Sequence, residues 1–189
     1  MNTGMTEPHP EWEVFGAREP GPVVIAEYDP TWATRFVAER RRIAAAIGDD
    51  ALRVEHVGST SVPGLDAKPI VDILIAVHDV HDPRITSRLE SAGYILRVRE
   101  HGHRMLRTPE RDVHVHLWPA ASDDIRRHLL FRDWLRVDAS DRALYERTKR
   151  ELAPRDWADR NDYAEAKTEV ITTISGRAEA WARRTGWAL

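Results

Sequence analysis

The 189-residue sequence contains no cysteine, which excludes disulfides, thiolate metal ligands and cysteine nucleophiles together. It also lacks an apolar run long enough for a membrane. The longest, residues 70–77, is interrupted by Asp72 and falls far short of the ~20 residues a spanning helix needs. Positive charge is not in excess: 28 Lys and Arg stand against 31 Asp and Glu, for a net charge of −3. This balance argues against a broad electrostatic grip on nucleic acid. The first 22 residues carry neither an apolar signal core nor a basic leader, so a cytoplasmic protein is expected. No internal repeat is visible.

What is present suits a soluble globular protein, with 42% apolar and 31% charged residues and length for one domain with a proper core. Residues 1–22, rich in Pro, Gly and Glu and without periodicity, read as a flexible N-terminal tail. Residues 23–27 suggest a short edge strand. In "YDPTW", Asp29 and Pro30 form a helix start, and Trp32, Phe36, Ile43 and Ile47 follow at helical spacing up to Gly48. Residues 52–57 alternate like a strand, and residues 70–77 read as a central one. A helix over 83–92 ends at Gly93, and three strands are expected at 94–99, 103–108 and 112–117. From Ser122 on, helices are expected over 123–137, 140–152 and from about 157 to 185. The order predicts an α+β fold, with a sheet-bearing core over 23–120 and a C-terminal helical part of the same domain over 121–189.

The chemistry concentrates in "EHVGSTSVPGLDAKPIVDILIAV", residues 55–77. It is not a Walker A loop, because five residues separate Gly58 from Gly64 and Leu65 stands where Lys belongs. Gly58, Ser59, Thr60 and Ser61 nevertheless offer close backbone approach and three hydroxyls, as an anion-binding nest requires, and Lys68 adds a point charge. A tight connection whose hydroxyls satisfy their own backbone explains the same residues. Asp72 is a lone charge on an apolar strand face, costly unless paired, hydrogen-bonded or bound to metal.

In "DVHVHLW", Asp112, His114 and His116 share one strand face, and two histidines at i and i+2 can reach one ligand or metal ion. His56 precedes the loop on its own strand. The helical half carries polar pairs one turn apart: Arg132 with Arg136, Tyr145 with Lys149, and Tyr163 with Lys167. Each pair is either a solvated face or a set of phosphate contacts.

"YDPTW", the 55–77 stretch, "HVHLW", "LLFRDWLR", "YERTKRELA" and "YAEAK" occur in an order that resembles the GrpB-like family (UPF0157 type) over residues 23–180. The resemblance implies the nucleotidyltransferase superfold, a mixed sheet flanked by helices, and a family also found fused to dephospho-coenzyme A kinase. The superfold signature falls on Val57-Gly58-Ser59 and, after a spacer, on Asp72-Ile73-Leu74-Ile75. Carried over, Gly58 and Ser59 would touch nucleotide phosphates and Asp72 would hold Mg²⁺. The sequence departs from the signature at Leu74, where a second metal-binding carboxylate belongs.

The expected function is therefore binding of a nucleotide or other phosphate compound, with nucleotidyl transfer from an NTP to a small acceptor as the activity. Ser59, Thr60 and Ser61 would hold phosphate oxygens, with His56 and Lys68 beside them. Arg132, Arg136, Tyr145, Lys149 and Lys167 would supply further contacts. Asp72 and His116 would hold a divalent metal, Mg²⁺ or Mn²⁺ or, given the imidazoles, Zn²⁺, and His114 or His116 would act as general base. The alternative is a non-catalytic module that binds nucleotide or coenzyme A or supports folding.

Overall fold

The computed structural model describes residues 12–15 and 20–189. Strand β1 (Trp12–Val14) is followed by helix α1 (Thr31–Ile47), strands β2 (Arg53–Val57) and β3 (Val71–Val77), and helix α2 (Pro83–Ser91). Strands β4 (Ile95–Glu100), β5 (His103–Arg107) and β6 (Val113–Pro119) come next. Helices α3 (Asp123–Val137), α4 (Ala139–Leu152), α5 (Arg160–Glu165) and α6 (Thr168–Thr185) complete the chain. The six strands form one sheet in the order β1-β4-β5-β6-β3-β2. Only the β3–β6 pairing is parallel, so the sheet is mixed.

The sheet has a helix layer on each face because β3 is apolar on both. Val71, Ile73, Ile75 and Val77 pack with Ile43 and Ile47 of α1 and Ile85 and Leu89 of α2. Leu74 and Ala76 face the other way, onto Ile125 and Leu129 of α3. Local chemistry sets the helix starts. The Asp29 carboxylate accepts the Thr31 N–H at 2.8 Å, Asp82 caps α2 ahead of Pro83, and Ser122 and Asp138 cap α3 and α4.

Three expectations change. Residues 12–14, within the stretch read as a tail, form an edge strand on β4, whereas residues 1–11 and 16–19 lie outside the described residues. Residues 23–27 form no strand beyond a single bridge between Ala26 and Ala67. Val23 and Ile25 instead pack under α4 with Leu152, Ala153 and Tyr163. The single helix expected from about 157 to 185 is two helices, and the break lies near Lys167, not at Gly176. Tyr163 belongs to the cluster around Leu152, while Ile174, Ala178 and Ala182 pack against α3 and α4. The break lets the two segments serve two different apolar clusters.

Candidate functional site

The turn after β2 is built around one glycine. Gly58 has φ 69°, and a Cβ added there would lie 2.3 Å from Oδ2 of Asp72, so only glycine lets the loop backbone lie against that carboxylate. Ser59–Ser61 form a single 3₁₀ turn. Val62 and Leu65 then anchor the loop among Leu130, Trp134 and Ile174 of the helical half. The apolar anchors fix where Ser59 and Lys68 stand.

Asp72 opens β3 beside β6, with Asp72 level with His114 and Leu74 level with His116. His114 Nδ1 lies 3.4 Å and His116 Nε2 3.7 Å from Asp72 Oδ1. One ligand atom from each of the three residues falls within 4.8 Å of the others.

Asp72, His114 and His116 form part of the floor of a cavity of about 420 Å³. Gly58, Ser59, Lys68 and Ile70 line one wall, and Lys149, Tyr163 and Lys167 of the helical half line another. Arg97, Arg107 and Arg111 add charge from the sheet side, so six cationic side chains face two carboxylates, Asp72 and Asp159. Such a cavity suits an anionic ligand. Arg97 reaches it because a bulge in β4 between Leu96 and Val98 shifts the strand register.

Two lysines are deeply placed. Lys149 donates to the Asp66 carbonyl and stands 4.9 Å over the Tyr145 ring; burial, helped by Lys167, lowers its ammonium to about 7. Lys167 lies 4.6 Å over the Tyr163 ring and is also lowered by burial, against the opposing pull of Asp72. The Tyr163 side chain is 4% exposed, and its hydroxyl finds no hydrogen-bond partner among the described residues.

The expected site residues thus divide. Gly58, Ser59, Lys68, Asp72, His114, His116, Lys149 and Lys167 come together. Tyr145 stands just behind them, its phenol hydrogen-bonded to Ser59 and raised to about 12 by burial. His56 lies on the opposite sheet face, stacked 5.0 Å from Phe36, with Nε2 3.0 Å from Thr60 Oγ1. Thr60 donates to the Ile70 carbonyl and Ser61 to that of Gly58. For these three the tight-turn reading applies, because their polar atoms are satisfied within the connection.

Arg132 and Arg136 do not line the cavity; they clamp the connection from outside. Arg132 donates to Glu55, the His56 carbonyl and Asp133, and Arg136 donates to the Ser61 carbonyl. Asp112 leaves the histidine face to accept from Thr108 at 2.7 Å and pair with Arg35.

Sequence reasoning missed His128 and His103, and it noted Tyr163 as the i,i+4 partner of Lys167 without assigning it to the site. His128 lines the cavity beside Trp118, and burial lowers it to about 4. It lies one helical turn before Arg132, so extending the 132/136 spacing backwards would have found it. His103 touches the site through His116, a contact between neighbouring strands with no local signal.

The sequence matches the family described as GrpB protein over residues 22–177. A UPF0157 protein of Streptomyces coelicolor is 52% identical over 173 residues, covering 91% of this chain and 92% of that one. A dephospho-CoA kinase of Mycobacterium leprae is 32% identical over 204 residues, covering 89% of this chain but 49% of that protein. Among solved structures, conserved protein GrpB from Enterococcus faecalis superposes with a TM-score of 0.72 at 32% identity, over 84% of this chain and 99% of that one. A chain of the GLD-2/RNP-8 complex gives a TM-score of 0.51 at 16% identity, over 79% of this chain and 58% of that one. At that identity the likeness concerns the fold.

Proposed function

This chain belongs to the GrpB family, and from that premise we propose that it binds a nucleotide or related phosphate compound in the cavity above Asp72 and transfers a nucleotidyl group from an NTP to a small acceptor. One observation carries the reading: the Gly58 backbone lies directly against Asp72, and Ser59, Lys68, Lys149 and Lys167 face the same cavity. That arrangement offers close backbone approach, a hydroxyl and positive charge to a phosphate chain.

The fold family implies a divalent metal, and the donor set decides which kind fits. Leu74, in the position of a second acid, is fully buried against Ile125 and Leu129, so the residues do not fit a pair of Mg²⁺ ions. One carboxylate with two imidazoles fits a single Mn²⁺, Zn²⁺ or Fe²⁺ ion, held by Asp72, His114 and His116. When bound it would supply Lewis acidity to a phosphoryl oxygen. The chain's own contribution is to hold the phosphates with Ser59, Lys149 and Lys167 and to wall off water with Ile70 and Tyr163.

Calorimetric titration with ATP and CTP, with and without Mn²⁺, tests the reading. Saturable binding that weakens in Ser59→Ala and Lys167→Met supports it. No binding, or binding unchanged in both variants, overturns it. A second reading, a non-catalytic nucleotide- or coenzyme A-binding module, is favoured by Leu74 and by the similarity to a dephospho-CoA kinase. Metal-dependent pyrophosphate release that disappears in Asp72→Ala decides for catalysis.

A further inference from the structure

We infer that Glu100 and His103 lock His116 in the tautomer that presents Nε2 to Asp72, and so preset Asp72, His114 and His116 as a site for one transition-metal ion. The inference deepens the metal part of the reading above and is independent of its nucleotide part.

The hydrogen positions are set in order from the solvent side inward. The Glu100 carboxylate, half exposed on β4, can only accept. His103 Nδ1 lies 3.0 Å from its Oε2, so this nitrogen carries the hydrogen. In neutral His103 the other nitrogen, Nε2, is then an acceptor. It lies 3.1 Å from His116 Nδ1, which must therefore be the donor. The remaining nitrogen of neutral His116, Nε2, turns a lone pair toward Asp72 Oδ1, 3.7 Å away. Two acceptors thus face each other, with His114 Nδ1 3.4 Å from the same oxygen.

Such a group calls for a cation between its members. The 3.7 Å separation is longer than a hydrogen bond, so a proton on Nε2 bridges it poorly. A tetrahedral ion bonded at ~2.0–2.2 Å holds its ligand atoms roughly 3.3–3.6 Å apart, close to the separations here. Two nitrogens and one carboxylate oxygen favour Zn²⁺, Co²⁺ or Mn²⁺ over Mg²⁺, which prefers oxygen. Stacking holds the ring planes: His103 lies 4.6 Å from Trp118 and 5.3 Å from His116, within 9° of parallel to the latter. Both His103 and Glu100 line a separate cavity of about 340 Å³, so the relay reaches His116 from behind. These two are positioning residues, of the kind that orients metal-ligating imidazoles.

The test uses the full chain without a His-tag, stripped of metal and free of nucleotide. Zn²⁺, Co²⁺, Mn²⁺ and Mg²⁺ are titrated against a competing chelator, and long-range ¹H–¹⁵N NMR reads the His116 tautomer. One equivalent of Zn²⁺ or Co²⁺ should bind, with Mg²⁺ weaker by about 100-fold or more. Asp72→Asn should abolish binding. His103→Leu should weaken Zn²⁺ about 10–100-fold and release His116 into a mixture of tautomers, with a smaller loss in Glu100→Gln.

The inference is overturned by the absence of saturable transition-metal binding, by Mg²⁺ binding as tightly as Zn²⁺, or by His116 of the wild type carrying its hydrogen on Nε2. It is also overturned if both variants keep wild-type affinity and tautomer. If His103→Leu does not fold, the wild-type tautomer and Glu100→Gln decide. Metal binding without nucleotide binding overturns the nucleotide reading alone, and the reverse overturns this one alone.

Discussion

A Cβ on Gly58 would lie 2.3 Å from the Asp72 carboxylate. The loop that begins the family signature and the acid that ends it are in direct backbone-to-side-chain contact across β2 and β3. Gly58→Ala therefore meets both a clash and a backbone conformation, φ 69° with ψ −176°, that is essentially confined to glycine. A loss of about 1–3 kcal/mol in urea unfolding is expected, with weakened metal binding because Asp72 must move. Wild-type stability in this variant would contradict the contact.

Arg132 is a clamp, so charge alone should not replace it. Its side chain is 12% exposed and reaches Glu55 and Asp133 as well as the His56 carbonyl. Lysine cannot span three acceptors in a planar fork. Arg132→Lys should lose roughly 1–3 kcal/mol, nearly as much as Arg132→Ala. If Lys restored both stability and nucleotide affinity, a direct phosphate contact would be the better account.

Tyr163 separates stability from binding. Its buried hydroxyl has no partner among the described residues, and an unsatisfied buried polar group costs about 1–3 kcal/mol. Tyr163→Phe should therefore leave the melting temperature unchanged or raise it, while lowering nucleotide affinity by calorimetry. A clear drop in melting temperature would show that the hydroxyl is satisfied in the ligand-free protein.

Two buried bases act in separate pH windows. Burial lowers His56 from 6.5 to about 4, partly opposed by the charge of Asp72. Below its unfolded pKa the unfolded chain takes up the proton more readily, so the stability His56 contributes is full above pH 6.5 and is lost as pH falls toward 4. Burial lowers Lys149 from 10.5 to about 7, so its contribution rises from pH 7 toward 10.5. Melting temperatures from pH 4.5 to 9.5 check both. His56→Asn should flatten the acid limb only in part, since burial also lowers His103 and His128 to about 4. Lys149→Met should flatten the limb above pH 7, and slopes identical to wild type in both variants would contradict the assignments.

Much of this was legible because it is local. Asp82 before Pro83 caps α2 as its residue types require, and the apolar run of β3 beyond Asp72 is buried on both faces. The spacing from Gly58 to Asp72 marked the one place where loop and acid meet. The alternation of His114 and His116 placed both rings on the side of Asp72.

The cations were harder to place, since helical spacing says which side chains share a face but not what that face meets. Arg132 with Arg136 and Tyr145 with Lys149 look equivalent as i,i+4 pairs. Only docking of α3 on β2 turned the arginines to Glu55 and the loop carbonyls. Only the packing of α4 and of the α5–α6 break brought Lys149 and Lys167 to the cavity.

The sequence by itself determined most of the elements, the caps of α2, α3 and α4, the glycine turn and the acid on β3, because neighbouring residues settle these through backbone sterics and periodicity. Tertiary structure alone decided which charges face Asp72 and that His103 stands behind His116. Those relations depend on the distant apolar clusters that orient each helix and strand as a whole.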